Sequence, residues 1–113
     1  MDQLNADRQL IKCILSSYVE LEQRKPTPGV ESLLIADDEH GHYQLFSLGW
    51  SGRQRVRNLR VYVRLLNGEF QIEHDLTERG IATDLLAAGV PNERIILAFH
   101  APELRQRAEL AAA

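Results

Sequence analysis

The sequence predicts an α+β domain: a long N-terminal amphipathic helix, a mainly antiparallel sheet of about four to five strands, and a C-terminal helix–strand–helix segment. Three observations lead to this fold class. Apolar residues recur first at helical spacing, later residues alternate at strand spacing, and an Asn-Gly pair separates two alternating segments. The chain has 113 residues, the length of one domain, so we expect residues 1–113 to form a single domain.

The N-terminal segment, from residue 5 to about residue 23, carries an apolar stripe with the three-, four- and seven-residue steps of a helix. The stripe consists of Leu4, Ile11, Ile14, Leu15, Tyr18 and Leu21. Pro26 and Pro28 follow, and proline cannot continue a helix, so we expect the helix to end before them.

Four strand-like segments come next, at residues 30–36, 42–50, 58–66 and 69–74. The last two are joined by Asn67-Gly68, which predicts a two-residue hairpin turn because both turn residues must take positive φ. In that register Val63 faces Ile72, His74 lies on the same apolar face, and Arg60 opposes Asp75 on the other face.

Helical signals return after the hairpin. Residues 75–78 (DLTE) have the form of a capping box, and Gly89 fits the position just past a helix end, so we expect a helix from about Leu76 to Ala88. The apolar run at residues 95–99 predicts a buried strand, which would complete a β–α–β unit. Pro102 suits the first turn of a closing helix that extends to about Leu110.

Composition narrows the class of protein. The single cysteine, Cys13, excludes an internal disulfide and a cysteine-rich zinc site. No apolar run approaches the roughly 18 residues that a membrane span needs. The first residues lack the basic and apolar regions of a signal peptide, so we expect a cytoplasmic protein that has no membrane partner.

Charge is distributed unevenly along the chain. The formal net charge is −3, yet residues 40–68 contain five arginines and no Asp or Glu, which leaves −8 for the rest. Such a basic strip indicates an anionic partner, either nucleic acid or an acidic protein. The hairpin supplies acidic neighbours to Arg60 and Arg64. We therefore select Trp50, Arg53, Arg55 and Arg57 as partner-binding candidates, with ordinary solvated surface arginines as the alternative.

Two sets of histidines are candidate chemical sites. His40 and His42 lie close to three carboxylates, which could together bind a metal, although a polar turn between strands explains the same residues. His74 and His100 both follow predicted strands and could act as acid and base with Glu78 or Glu103. No nucleophile, base and orienting group occur as a complete set, so we expect no catalytic, cofactor-binding or metal-binding residues and no cofactor.

The ordered motifs resemble the XisI-like family. Residues 36–45 (ADDEHGHYQL) with residues 48–50 (LGW) are similar to the opening of that family, and residues 67–78 (NGEFQIEHDLTE) are similar to its hairpin. Matches continue in order at residues 80–82, 89–91 and 95–103 and end at Arg105. Two departures stand out: Leu76 replaces a common glycine, and residues 107–113 lack the aromatic residue and valine of the family's tail.

The resemblance implies a small α+β protein that is not known as an enzyme and acts beside a XisH-type protein. Its family takes its name from a factor controlling excision of the fdxN element in cyanobacteria, and a separate site-specific recombinase performs the excision. Our leading interpretation is thus a non-catalytic controlling factor that acts through a XisH-type partner, within a recombinase complex whose DNA it contacts indirectly. The alternatives are a DNA-binding module using Arg53, Arg55 and Arg57, and a metal-dependent enzyme. Uncovered sheet edges also favour a homo-oligomer.

Overall fold

The computed structural model describes residues 2–100. The elements are helix α1 (Gln3–Arg24), strands β1 (Val30–Asp37), β2 (His42–Ser51), β3 (Gln54–Leu66) and β4 (Glu69–Asp75), helix α2 (Ile81–Ala87), a single 3₁₀ turn (Asn92–Arg94) and strand β5 (Ile95–Leu97). Within this part of the chain no helix is both long and apolar enough to cross a membrane.

The five strands form one sheet in the order β1-β2-β3-β4-β5. The first four strands pair antiparallel, and β5 lies parallel to β4 with α2 between them in sequence. The predicted α+β class, N-terminal helix and mainly antiparallel sheet are therefore confirmed, as is the β–α–β unit. The proposed closing helix at residues 102–110 falls outside the described residues.

Helix α1 begins where the Asp2 carboxylate accepts a hydrogen bond from the Asn5 backbone N–H at 3.4 Å, which satisfies one of the unpaired donors of the first turn. Ile11 and Leu15 are fully buried against the sheet, so the middle of the predicted stripe forms the core contact. The two ends of that stripe, Leu4 and Leu21, are exposed instead.

The two faces of the sheet differ. One face packs under both helices and forms the core with Ile11 and Leu15 of α1 and Ile81 and Leu85 of α2. Its buried side chains are Tyr43, Leu45, Val61, Val63, Phe70 and Ile72. Side chains alternate along a strand, so the intervening residues point to the opposite side, which neither helix covers. We call this side the helix-free face.

The β3–β4 hairpin turns where the sequence predicts it. Asn67 has φ 53° and Gly68 has φ 77°, as a two-residue turn with two positive φ angles requires. The register next to the turn is also as predicted, with Val63 opposite Ile72.

A β-bulge further along the same hairpin changes the pairing. The register shifts between Tyr62 and Val63, so His74 pairs with Tyr62 and Asp75 pairs with Val61. The predicted pairing of Arg60 with Asp75 is therefore wrong, and His74 lies beside Tyr62 and not on the core face. The cause is one extra residue in β4, which a uniform two-residue alternation cannot represent.

Helix α2 begins at Ile81, five residues later than predicted. The Asp75 carboxylate does not start the helix as a capping box; its Oδ1 accepts hydrogen bonds from the Thr77 N–H and hydroxyl at 2.9 and 2.6 Å. Its Oδ2 accepts from the Ile81 N–H at 2.7 Å, so Asp75 caps the helix across an intervening loop that ends at Gly80.

The end of α2 agrees with the sequence. Gly89 has φ 97°, and its N–H donates to the Leu86 carbonyl at 3.0 Å, while the Val90 N–H donates to the Leu85 carbonyl at 3.1 Å. This pair of bonds is a Schellman motif, which satisfies the last carbonyls of the helix. The following strand is shorter than predicted, because β5 ends at Leu97 and Phe99 is half-exposed beyond it.

An ion pair connects the two ends of the described chain. The Arg94 guanidinium bonds to the carboxylate of Asp7, which is only 4% exposed in α1. The same guanidinium donates through Nε to the Gly68 carbonyl at 2.8 Å and lies 5.4 Å from the centre of the Phe70 ring. Arg94 therefore holds together α1, the β3–β4 turn and the segment before β5.

Candidate partner-binding surface

The four candidate residues come together at the end of the β2–β3 hairpin. Gly52 and Arg53 form the turn, because Ser51 and Gln54 are the last paired residues. Strand β3 thus begins at Gln54 and not at residue 58 as predicted, which places Arg55 and Arg57 within a paired strand. Long arginine side chains on an exposed ribbon give little apolar alternation, so the sequence pattern did not extend the strand this far.

Trp50 and Arg55 form the centre of this hairpin tip, which we define as Trp50, Arg53, Arg55 and Arg57. The two residues pair across the strands, and the Arg55 guanidinium lies 5.0 Å from the centre of the Trp50 ring. Its Nη1 also donates to the Gly49 carbonyl at 3.4 Å. Trp50 remains 52% exposed, so a large aromatic surface and a cation are presented together.

The arginines of the basic strip fall into two groups. Arg60 pairs with Glu22 of α1 at 2.5 Å, and Arg64 pairs with Glu73 at 3.7 Å. Within residues 2–100, none of Arg53, Arg55 and Arg57 forms an ion pair, and all three are exposed. Three positive charges are therefore concentrated on one exposed ribbon without a compensating carboxylate.

Arg60 reaches Glu22 because of a second bulge. The β2–β3 register shifts between Leu45 and Phe46, so that Leu45 pairs with Val61 and Phe46 with Leu59. Arg60 is the extra residue, and it bonds to a helix that lies on the core side of the sheet. The predicted structural role of Arg60 is confirmed, although its partner is Glu22 and not Asp75.

Two glycines fix the base of the tip. The Trp50 N–H donates to the Gly29 carbonyl at 2.8 Å. A Cβ at Gly49 would lie 2.0 Å from that same carbonyl oxygen, and a Cβ at Gly29 would lie 2.5 Å from the Trp50 oxygen. Side chains at either position would force the β2 end away from the chain before β1, so both glycines are needed for this close approach.

The helix-free face continues from the tip along the sheet. In the register, Leu33 pairs with Phe46 and Phe46 with Leu59, while Leu48 pairs with Arg57. Ile35 and Tyr62 lie on the same face, on either side of Gln44. These apolar residues are half-buried or exposed and do not belong to the core cluster.

Sequence reasoning missed this apolar face, although β2 contains its signal. Tyr43 and Leu45 of that strand point to the core, while Phe46 and Leu48 point to the other side. A strand whose two faces are both apolar is typical of a sheet that is covered on both sides.

His40 and His42 have different partners. His40 lies in the β1–β2 turn with its Nδ1 2.8 Å from Asp37 Oδ2, and this hydrogen bond lowers the pKa of Asp37. His42 lies on β2 with its Nδ1 2.8 Å from the Tyr62 hydroxyl. In the described part of the chain, no three His, Cys, Asp or Glu residues are grouped as a metal site would need.

The second pair of candidate histidines, His74 and His100, lies on strand β4 and at the end of the described chain. His74 pairs with Tyr62 in the sheet, and the His100 ring is 4.6 Å from the Phe99 ring at the end of the described chain. Glu78 is in the loop before α2, and Glu103 is outside the described residues.

A polar network that the sequence did not indicate joins the two helices. The Tyr18 hydroxyl donates to Asp84 Oδ2 at 2.5 Å, and Arg79 Nε donates to Asp84 Oδ1 at 2.9 Å. Burial, followed by the hydrogen bond to Asp84, raises the pKa of Tyr18 to about 12. The network fixes α2 against α1 on the core side, away from the hairpin tip.

Comparisons with known proteins find XisI proteins both by sequence and by fold. The sequence model of one family, described as "XisI protein", matches residues 1–112. Among the curated proteins, none matches the chain.

Two solved structures are closely similar. A XisI-like protein from Anabaena variabilis ATCC 29413 has a TM-score of 0.86 and 32% sequence identity, over 94% of this chain and 95% of that one. The fdxN element excision controlling factor XisI from the same organism has a TM-score of 0.79 and 36% identity, over 92% of this chain and 99% of that one.

Proposed function

Because the chain belongs to the XisI family, we propose that it is a controlling factor for excision of a DNA element, that it performs no catalysis, and that it acts through a XisH-type protein. The observation that carries the proposal is the hairpin tip. It presents an exposed tryptophan and three arginines that have no carboxylate partner within residues 2–100. Tryptophan and arginine are the residues most enriched among the energetically dominant contacts of protein interfaces.

In this proposal the chain regulates a complex and does not process DNA. A separate site-specific recombinase breaks and rejoins the strands, and the XisI-type chain contacts that assembly through its XisH-type partner in the cytoplasm. The net charge of −3 suits this arrangement, because an acidic body opposes close contact with a phosphate backbone.

The experiment is co-purification of the full chain with a XisH-type protein, followed by titration calorimetry of the purified pair. We expect a stable complex at micromolar concentrations. The purified chain alone is expected to leave DNA uncut when it is incubated with the element ends. Absence of a complex at micromolar concentrations, or DNA cleavage by the chain alone, would refute the proposal.

Direct DNA binding by the same tip is the second candidate. A two-stranded β-ribbon fits the major groove, and Arg53, Arg55 and Arg57 lie at the end of such a ribbon. If all three neutralise phosphates, log K should fall against log[salt] with a slope of about −2.7. A flat salt response, or no gel shift at low salt, would exclude this candidate.

A further inference from the structure

We propose that the helix-free face binds an apolar protein segment flanked by carboxylates, with the hairpin tip as the charged border of that interface. This inference rests on the proposed function, since the segment belongs to the protein partner. It assigns the main contact to six residues, of which only Leu48 lies within a sequence motif, namely Leu33, Ile35, Phe46, Leu48, Leu59 and Tyr62.

The centre of the face is apolar and has no described cover. Leu33, Phe46 and Leu59 follow one another across three neighbouring strands. Ile35 is 45% exposed beside them, and both helices pack on the other side of the sheet. A contiguous apolar patch of this kind, bordered by polar residues, marks a protein-binding surface.

The charges around the patch specify the chemistry of the partner. Arg57 lies directly opposite Leu48 on the same face, and Arg55 and Trp50 follow at the next outward position. Glu31 pairs with Leu48 from the other side and is the one carboxylate at this end of the described sheet face. The tip therefore has excess positive charge next to apolar area, which complements aliphatic side chains flanked by Asp or Glu.

A second copy of the chain fits this face less well. In a two-fold contact, the tip of one copy would meet the far end of the same face in the other copy. That end carries three carboxylates, and each already has a partner: Asp37 bonds to His40, Glu69 accepts from Gln71, and Glu73 pairs with Arg64. The unpaired arginines would therefore find no free acidic group opposite them.

Nucleic acid fits the centre of the face equally poorly. Leucine and isoleucine side chains offer no donor to phosphate, and burying them against a hydrated backbone loses the benefit of apolar contact. An apolar centre with a polar border is the usual anatomy of a protein interface, in which Phe46 would occupy the centre.

The experiment measures the affinity of the full chain for a purified XisH-type protein by titration calorimetry. Two variants test the face: Phe46→Ser removes the central apolar contact, and Arg55→Glu with Arg57→Glu reverses the border charge. Matched controls on α1 are Leu21→Ser and Arg24→Glu, whose side chains are exposed on the opposite side of the molecule. We expect each face variant to weaken binding by about tenfold or more and each control by less than about twofold.

The outcomes separate the two proposals. If the wild-type chain fails to bind, the proposed function is wrong and this inference falls with it. If the wild type binds and the face variants bind equally well, the inference alone is wrong, because the partner uses another surface.

Three further results would overturn the inference by identifying another occupant. One is a homodimer of the wild type, in sedimentation, that Phe46→Ser dissociates. Another is salt-dependent DNA binding by the wild type that the variant Arg55→Glu with Arg57→Glu abolishes. The last is a fall in the melting temperature of the free Phe46→Ser chain far beyond that of Leu21→Ser, which would show that the chain itself covers this face.

Discussion

Removing Arg94 should destabilise the protein far more than removing an arginine at its surface. Arg94→Met keeps most of the side-chain volume but leaves the Asp7 carboxylate, which is 4% exposed, without its cation. Gln3 Nε2 would remain as a donor to Asp7 at 3.1 Å, and one neutral amide cannot replace a guanidinium.

The magnitude follows from the burial of the two partners. Breaking a buried ion pair by removing one partner costs about 3–5 kcal/mol. The Arg94 side chain is 22% exposed, so water partly screens the pair, and we expect the lower end, about 3 kcal/mol. For a domain of this size that loss lowers the melting temperature by roughly 12 °C.

Urea unfolding followed by circular dichroism measures the free energy of unfolding directly. Arg64→Met is the matched control, because its ion pair with Glu73 is longer, at 3.7 Å, and more exposed; it should cost less than about 1 kcal/mol. The double variant Asp7→Leu with Arg94→Met should recover part of the loss, since it removes the orphaned charge. A loss below about 1 kcal/mol for Arg94→Met, equal to that of the control, would refute the reasoning.

Other perturbations test the helix contacts and the base of the tip. The pKa of Tyr18 is raised to about 12, above its ordinary value. Its contribution to the free energy of unfolding should therefore be complete below pH 10 and decline as the pH rises towards 12. Tyr18→Phe loses the hydrogen bond to Asp84, so unfolding measured as a function of pH should no longer show this decline. Gly49→Ala should destabilise the protein by about 2 kcal/mol or more, because the added Cβ meets the Gly29 carbonyl oxygen. Gly52→Ala is the control: its Cβ has open space, so thermal unfolding should show a loss of about 1 kcal/mol. Asp75→Ala should cost about 2 kcal/mol and speed hydrogen exchange in the first turn of α2, and unchanged exchange there would contradict the capping role.

Local signals in the sequence are sufficient to predict several structural elements. Asn67-Gly68 specified the hairpin turn because few residue pairs tolerate two positive φ angles, and Gly89 specified the end of α2 for the same reason. Within residues 2–100, the sequence also separates the arginines of the basic strip correctly into those with acidic partners and those without.

The errors arose where tertiary contacts override local pattern. Each bulge adds one residue to a strand, and alternation alone cannot locate it, so Arg60 was given the wrong partner. Asp75 has the sequence context of an N-cap, but its carboxylate stabilises a loop before it reaches Ile81. The helix-free face depends on which side α1 covers, and that choice is made by packing between distant segments.

The bridge from Arg94 to Asp7 has a consequence for synthesis on the ribosome. The strands β1 to β4 join neighbours in sequence and can pair one after another as they emerge, but the bridge joins residues 87 positions apart. The nascent chain therefore holds a nearly complete sheet while α1 still lacks its final anchor, and that anchor forms only after Arg94 has been translated.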